Sequence, residues 1–320
     1  MGQRLASQVE QTHEYFKCDL VIVLSAFKEM EKYRQFSHAA TGVNPFLPPS
    51  IKSDPTLWVV RFLLLLPFNL VRVLVLICLV PCLFAFNSVS ILRRILLPIT
   101  ARIMLIILGV SIRIQSPEYR KLKLTEGILQ SSKETLVVQT QSPIDPLILM
   151  AIACTSCFGF LQPDGSVAQG LAFCCQSKPT VSSRVSLTEF LQQSANKVLF
   201  VDVARTNGSG LLAWPKGTAT CLKQVPLSFC GINYSTGNPA TAHFTVGSFS
   251  QWLIGFALYF HTADVLVARS IPIEDPRQAL VRVASAARRE AVVDTDLTAE
   301  TAAKFQDYWM TSQSQKKKVI

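Results

Sequence analysis

The feature that most constrains this chain is a long apolar stretch in its first third. Residues 57–86 read LWVVRFLLLLPFNLVRVLVLICLVPCLFAF, and no polar residue occurs from Val73 to Phe86. As a helix, residues 62–86 would extend about 37 Å at ~1.5 Å per residue, enough for the ~30 Å hydrocarbon core of a bilayer. A buried helix pair in a soluble domain is disfavoured, because such a run leaves no solvated face. The stretch therefore predicts a membrane-embedded segment.

Interruptions within this region indicate how it would sit in a membrane. Pro67 and Pro81 would bend a helix, and a second apolar stretch follows at residues 95–112. Two full spans would carry Arg93 and Arg94 across the membrane, against the positive-inside bias. A hairpin that enters and leaves by one face keeps these arginines cytosolic. We therefore predict a membrane-embedded helical hairpin over residues 57–114 with monotopic topology.

Composition supports a local excess of apolar residues. Hydrophobic residues make up 49% of the 320 residues, and the mean hydropathy of +0.33 is high for a soluble protein. The formal net charge is +10, and arginines flank the apolar stretch, which fits an anionic membrane surface better than a nucleic-acid groove. Because no basic helix with interleaved aromatic residues occurs, we expect no nucleic-acid partner.

Strand-like runs alternate with helix-like segments in the rest of the chain, which predicts a layered α/β fold. Ser186 and Glu189 form a capping box before one helix, and Asp275 with Pro276 begins another. The predicted strands are KETLVVQT (133–140), KVLFVDV (197–203), VPLSFCGINYS (225–235) and DVLVARSIPI (264–273). The predicted division is an N-terminal extension and linker (1–56), the membrane-embedded segment (57–114), an α/β domain (115–275) and C-terminal helices with a basic tail (276–320).

The stretch VVQTQSPIDPLILM, residues 137–150, puts polar side chains where a strand passes into a helix. Such corners carry catalytic side chains in α/β folds. The corner contains Thr140, Ser142 and Asp145, and Thr140 stands where a histidine partner of the aspartate is expected. The alternative is that Asp145 serves the turn or caps the following helix.

A second polar loop, FVDVARTNG, follows the next strand at residues 200–208. It contains one carboxylate, Asp202, and one arginine, Arg205. Since Asp202 and Arg205 are three residues apart, a surface ion pair between them is the alternative. Val225 and Pro226 then open the third predicted strand.

In order and spacing, these three segments resemble the motif series of the phospholipid/glycerol acyltransferase family, of the lysophosphatidic acid acyltransferase type. The family's first motif, Asn-His-x-Ser-x-x-Asp, is matched at Ser142 and Asp145, whereas Thr140 replaces the histidine. The later motifs are matched at Phe200, Arg205, Asn207, Gly208, Val225 and Pro226, and Asp202 stands as a shorter carboxylate.

A further resemblance covers the opening of the chain. MEKYRQFSHAATGVNPFLP, residues 30–48, followed by the apolar stretch, is similar to the start of fungal proteins tied to lysophosphatidic acid acylation by oleoyl-CoA and to vacuolar protein sorting.

The resemblance implies transfer of an acyl group from acyl-CoA, a co-substrate, to a lysophospholipid such as lysophosphatidic acid, with no other cofactor and no metal. Implied catalytic residues are Asp145, Thr140 and Ser142. Implied substrate-binding residues are Asp202, Arg205, Asn207, Gly208 and Pro226. The alternative is a non-catalytic acyltransferase-fold protein that binds lipid or recruits partners in lipid storage or membrane traffic.

Loss of the histidine leaves the proton acceptor open. Thr140 cannot serve, because its hydroxyl does not deprotonate near neutral pH, and a general base typically contributes ~10²–10⁴ in rate. Asp145 would accept the proton itself, or His243 or His261 would fold into the site.

The C-terminal sequence QKKKVI has the form of a dilysine retrieval signal at Lys317 and Lys318, read by a cytosolic receptor. A solvated basic tail is the alternative. Together with the apolar stretch, the signal predicts a protein of the endoplasmic reticulum membrane or lipid droplet whose α/β domain faces the cytosol.

Overall fold

The chain forms a mixed α/β structure in which helices cover both faces of a large sheet, as the layered α/β prediction expected. The sheet has eight strands, and a separate sheet has two. This computed structural model describes residues 32–48, 60, 64, 71, 72, 74, 75, 78, 79, 90–116, 134–155, 157–170, 183–193, 195–234, 242–257, 259–269 and 275–318.

The strands are β1 Val110–Ile114, β2 Thr135–Val138, β3 Cys157–Leu161, β4 Ser166–Gln169, β5 Ser183–Ser186, β6 Lys197–Phe200, β7 Gly210–Leu211, β8 Leu227–Tyr234, β9 His261–Arg269 and β10 Val293–Asp294. The α-helices are α1 Ser90–Ile107, α2 Asp145–Ala153, α3 Leu187–Gln192, α4 Thr218–Leu222, α5 Phe249–Ala257, α6 Pro276–Arg288 and α7 Ala299–Lys318. A 3-10 helix spans Arg34–Phe36.

The order of strands in the large sheet is β1-β9-β8-β2-β6-β3-β4-β5. Its four central strands, β8, β2, β6 and β3, run parallel, whereas β9 is antiparallel to β8 and β4 is antiparallel to β3. The carboxyl ends of β2, β6 and β8 therefore meet at one edge, which is where open α/β sheets collect ligands.

Alternating side chains divide the core between the two faces of the sheet. Leu136 and Val138 of β2 pack in a cluster with residues of α1, α2 and α5. Val137 points to the opposite face, into a cluster with residues of α3, α4 and α6. This period of two is what a strand requires when both of its faces are covered.

The predicted helix starts at 186 and 275 are confirmed. The Ser186 hydroxyl accepts the Glu189 backbone N–H at 3.1 Å, and the Asp275 carboxylate accepts the Arg277 N–H at 3.0 Å. Pro276 is the first residue of α6, where a missing N–H costs nothing.

The membrane-embedded segment predicted for residues 57–114 needs correction at its carboxyl end. Val110–Ile114 is strand β1, which pairs in parallel with β9 and belongs to the large sheet. Leu97, Ala101 and Leu105 of α1 are buried in the core cluster that includes α2. The α/β domain therefore includes residues before 115, because the second apolar stretch covers its sheet.

Among the described residues, no helix combines the length and the apolar character needed to cross a bilayer. Most of residues 57–89 lies outside the described residues. The membrane hairpin over that part of the chain stays a prediction.

The amino-terminal segment, residues 32–48, packs against the domain instead of forming an extension and a linker, which corrects the predicted division. Tyr33, Phe36 and Phe46 form an aromatic cluster with Phe305 of α7, with ring centroids 5.2–5.7 Å from the Phe305 ring. Burying these rings stabilises the contact between residues 32–48 and α7.

Candidate functional site

The candidate site lies at the carboxyl edge of the three adjacent parallel strands β2, β6 and β8. Asp145 follows β2, Arg205 follows β6, and Tyr234 ends β8. The topology brings these residues together although they are far apart in the sequence.

Asp145 closes the strand-to-helix corner. It is fully buried, with 0% exposure. Its Oδ2 accepts the backbone N–H groups of Gln141 and Ser142 at 2.7 Å each, and the Tyr234 hydroxyl donates to its Oδ1. Burial raises the pKa of Asp145 to about 6, although the three hydrogen bonds oppose the rise.

These contacts show the structural role of Asp145 at the corner. The carboxylate does not cap α2, because the residue before the helix is Ile144 and has no side-chain cap. It holds the turn, as the alternative interpretation allowed. In this state both oxygens of the carboxylate are hydrogen-bonded and enclosed.

Thr140, which the resemblance noted from the sequence sets in place of a histidine, is buried, with 7% exposure. Its hydroxyl has no hydrogen-bond partner among the described residues, and its carbonyl accepts the Thr206 N–H at 3.1 Å. A histidine at this position would find Asp145 Oδ1 already bound by the Tyr234 hydroxyl. Ser142 is also engaged, because its hydroxyl donates to the Ala242 carbonyl at 2.6 Å.

The segment Ala242–Phe244 lies along this corner and brings a histidine to it. The Phe244 N–H donates to the Gln141 carbonyl at 3.1 Å, and His243 Nε2 lies 3.2 Å from Gln141 Oε1. The His243 and Tyr234 rings form a T-shaped contact at a centroid distance of 5.5 Å. Burial lowers the pKa of His243 to about 3, and the charge of Arg288 adds to this effect.

The other histidine considered from the sequence, His261, has different contacts. Its ring stacks on Phe256 of α5 at a centroid distance of 4.0 Å, and its Nε2 donates to the Phe256 carbonyl at 2.9 Å. Of the two histidines, His243 is therefore the one that touches the corner.

Asp202 is buried in the loop after β6, with 5% exposure. Its Oδ1 accepts the Leu212 N–H at 3.3 Å, and its Oδ2 has no hydrogen-bond partner among the described residues. Burial raises the pKa of Asp202 to about 8, so the carboxyl is mainly neutral at pH 7. A surface ion pair with Arg205, one of the sequence-based alternatives, is therefore wrong.

Arg205 is half-buried beside the corner. Its guanidinium carbon lies 5.5 Å from the centre of the Phe244 ring, and its charge opposes the rise in the pKa of Asp145. The structure thus places a cation next to the corner, stacked on the residue that follows His243.

Asn207 and Gly208 shape the loop. The Asn207 Nδ2 donates to the carbonyls of Asn44 at 3.2 Å and Leu47 at 3.0 Å. Gly208 has a φ of +78°, and a Cβ there would lie 2.7 Å from Gln141 Oε1 and 2.2 Å from Arg288 Nη1. Only glycine fits both the left-handed backbone and this close approach.

Pro226 is not brought to the site, which corrects its predicted role in substrate binding. It is exposed and directly precedes β8. Cys230 is the β8 residue level with Val138, so Pro226 lies four residues, or ~13 Å, toward the opposite edge of the sheet. Its carbonyl accepts the Thr135 N–H at 3.1 Å, which is a structural contact.

Asn207→Ala tests whether this residue is an anchor for residues 44–47. We expect a loss of about 1–3 kcal/mol in the free energy of unfolding, because two carbonyls lose their donor. Chemical denaturation of the purified chain measures it. Lys216→Ala, an exposed change in the loop that follows β7, should stay within about 0.5 kcal/mol of wild type. Equal stability of both variants and the wild type would contradict the anchor role.

Three residues of the site were not found from the sequence: Gln141, Tyr234 and Arg288. The Arg288 Nη1 donates to the Asn207 carbonyl at 2.7 Å from the end of α6. No local sequence pattern predicts this contact, because 81 residues separate the partners. Gln141 lies inside the quoted corner, and its amide could have been recognised as a polar group there.

The fold and the site define a mixed α/β protein with a closed polar corner at the carboxyl edge of its sheet. No protein-family model matches the chain, and no curated protein matches its sequence. In structure the chain is similar to the 1-acyl-sn-glycerophosphate (LPA) acyltransferase PlsC from Thermotoga maritima, at 11% sequence identity and a TM-score of 0.43. The alignment covers 72% of this chain and 95% of that chain. A likeness at this level assigns no activity.

Proposed function

We propose that this protein transfers an acyl group from acyl-CoA to the free hydroxyl of a lysophospholipid, with lysophosphatidic acid as the acceptor, in glycerolipid synthesis. The observation that carries the proposal is the placement of Arg205 beside the Asp145 corner, at the carboxyl ends of adjacent parallel strands. The motif series at 139–145 and 200–208 supports the same reaction.

In this reaction the acceptor oxygen attacks the thioester carbonyl carbon, the carbon–sulfur bond breaks, and coenzyme A leaves as the thiol after taking up the acceptor's proton. Arg205 binds the acceptor phosphate with its planar guanidinium. Asp202 helps by being neutral, because a carboxylate in the same loop would repel that phosphate. Asp145 positions the turn that carries Thr140 and Gln141.

The proposed setting is the cytosolic face of the endoplasmic reticulum membrane or a lipid droplet. Among the strongly exposed apolar side chains are Ile106 at the end of α1 (73%) and Phe260 before β9 (74%). We propose that they face the bilayer, where single apolar side chains gain stability by leaving water. The dilysine pair at Lys317 and Lys318 fits the same membrane.

A second candidate is a non-catalytic protein that binds lysophospholipid or recruits partners in lipid storage or membrane traffic. The observation in its favour is the enclosed state of Asp145, whose Oδ1 is bound by the Tyr234 hydroxyl. Thr140 supplies no base in place of the family's histidine.

Replacement of Arg205 separates the two candidates. With purified full-length protein, labelled oleoyl-CoA and a panel of lysophospholipids, Arg205→Ala should raise the KM for lysophosphatidic acid by about 10–100-fold, while kcat changes less. The KM of Arg205→Lys should fall between those of the wild type and Arg205→Ala, because an ammonium group keeps the charge without the bidentate geometry. Arg184→Ala, at an exposed arginine of β5, is the control and should behave as wild type.

The outcomes of this assay are distinct. If the wild type transfers no oleoyl group above background but binds lysophosphatidic acid through Arg205, the non-catalytic candidate is correct. If it neither transfers nor binds, both candidates are wrong. Transfer that is unchanged in Arg205→Ala would contradict the assigned role of the guanidinium.

A further inference from the structure

The amino-terminal segment, residues 32–48, contacts the loop that carries Arg205 on both sides of this residue. Before it, Ala204 packs against the aromatic cluster that the segment forms with α7. After it, the Asn207 N–H donates to the Pro45 carbonyl at 2.7 Å. Arg205 therefore lies between two points at which its loop is fixed to the segment.

The side chain of Asn207 adds two bonds to the same segment. Its Nδ2 donates to the carbonyls of Asn44 and Leu47, so both hydrogens of the amide nitrogen are used. Its Oδ1 accepts the N–H of Ser209 at 2.9 Å and the hydroxyl of Ser209 at 2.5 Å. The amide thus joins the loop to residues 44–47 and braces the loop internally.

The carbonyls that Asn207 binds are themselves held in place by packing. Phe46 lies between them in the chain, is 2% exposed and packs on Phe305 at a centroid distance of 5.7 Å. The Asn44 side chain forms the turn, since its Oδ1 accepts the Phe46 N–H and its Nδ2 donates to the Tyr33 carbonyl at 3.3 Å. Residues 44–47 are therefore a fixed surface for the loop.

We propose that residues 44–47 are a positioning element of the acceptor site, which acts through Asn207 to hold Arg205 where it binds the acceptor phosphate; the inference rests on the proposed function. A loop that is fixed before the phosphate arrives loses little conformational freedom when it binds. Asn207 is then a positioning residue and not a ligand of the phosphate. Loosening this contact weakens acceptor binding more than it slows the transfer that follows.

Asn207→Ala tests the contact directly. The variant keeps the backbone bond to Pro45 but loses both side-chain bonds to the segment, so the KM for lysophosphatidic acid should rise about tenfold while kcat stays within about threefold. Ser209→Ala is the matched control in the same loop. It removes the hydroxyl bond to Asn207 Oδ1 and leaves the bonds to residues 44–47, so it should keep the wild-type KM.

Phe46→Leu loosens the segment from a buried position that no substrate reaches. We expect the KM for lysophosphatidic acid to rise about threefold or more, and the double variant with Asn207→Ala should have the KM of Asn207→Ala alone, because both changes remove one constraint. Phe190→Leu, a fully buried ring of α3 in another core cluster, is the matched control. It removes the same ring atoms from a core and should keep the wild-type KM.

Hydrogen exchange of backbone amides gives a readout that does not depend on turnover. The amides of Thr206 and Asn207 should exchange faster in Phe46→Leu than in the wild type, whereas those of β2 should be unchanged. Phe190→Leu should leave the amides of residues 206 and 207 as they are in the wild type. If Phe46→Leu does not alter these two amides, the inference is overturned whether or not the protein transfers an acyl group.

The kinetic outcomes separate this inference from the proposed function. If the wild type transfers oleate and Arg205→Ala raises the KM, but Asn207→Ala and Phe46→Leu do not, the positioning role is overturned and the proposed function stands. If Asn207→Ala alone raises it, Asn207 is a ligand of the phosphate and the inference is wrong. If the wild type neither transfers oleate nor binds lysophosphatidic acid in calorimetry, both are overturned. If Asn207→Ala fails to fold, as judged by circular dichroism, the KM and exchange of Phe46→Leu decide.

Discussion

Replacement of Asp145 by alanine is expected to lower the free energy of unfolding by about 3 kcal/mol or more. The carboxylate accepts the N–H groups of Gln141 and Ser142 and the hydroxyl of Tyr234, and all of these groups are buried. Each buried donor left without a partner costs about 1–3 kcal/mol. Urea denaturation of the purified chain at pH 7 measures the loss, and acyl transfer should disappear with the corner.

Asp145→Asn is the informative companion, because it separates a structural carboxylate from a proton acceptor. The amide oxygen can accept the two backbone N–H groups, and the amide nitrogen can donate to the Tyr234 oxygen, so we expect stability within about 1 kcal/mol of wild type. Turnover should also persist. Wild-type stability together with a kcat reduced ~10²-fold or more would contradict the structural role. It would indicate instead that Asp145 accepts the proton.

Sequence reasoning recovered the parts of the fold that depend on neighbouring residues. Asp275 and Pro276 start α6 through contacts within one turn, and the Ser186 hydroxyl starts α3 in the same way. The apolar character of residues 95–112 was also recognised, but not the position of these residues within the α/β domain. Apolar side chains cover a sheet or a lipid tail equally well, so hydrophobicity alone could not distinguish α1 and β1 from a membrane hairpin.

Only part of the candidate site was predicted from the sequence, because residues that contact each other there are far apart along the chain. Asp145 and Arg205 stand out in short motifs at two strand ends. The partners that set their chemistry come from elsewhere: Tyr234 is 89 residues from Asp145, and His243 is 102 residues from Gln141. Such contacts depend on strand order and on the path of the segment Ala242–Phe244, neither of which leaves a local pattern.

The packing of residues 32–48 against the domain was not predicted from the sequence either. Residues 1–56 were predicted to form an extension and a linker, yet Asn44 and Phe46 are buried. Asn44 forms its own turn, since its Oδ1 accepts the Phe46 N–H at 3.0 Å. The partner surfaces, α7 and the loop at Asn207, lie far along the chain, so composition could not reveal the packing.

Asp202→Asn is expected to make the protein more stable, and increasingly so as the pH rises. In the folded protein, burial raises the pKa of Asp202 from 3.8 to about 8. The folded state therefore binds a proton that the unfolded state has lost, and stability falls as the pH rises between these values. At 1.36 kcal/mol per pH unit, the wild type should lose about 4 kcal/mol from this residue between pH 5 and pH 8. The amide of Asp202→Asn does not ionise, so the variant does not lose this stability as the pH rises.

Denaturation curves at pH 5 and pH 8 measure the effect as a double difference. The stability of Asp202→Asn minus that of the wild type should grow by about 4 kcal/mol between the two pH values. The same difference for Asp307→Asn, an exposed carboxylate of α7, should stay constant. A constant difference for Asp202→Asn as well would show that this carboxyl is ionised in the folded state. Because the side chain at 202 is mainly neutral at pH 7 in both proteins, the variant should also keep the wild-type KM for lysophosphatidic acid, whereas a substrate contact through the carboxylate would raise it.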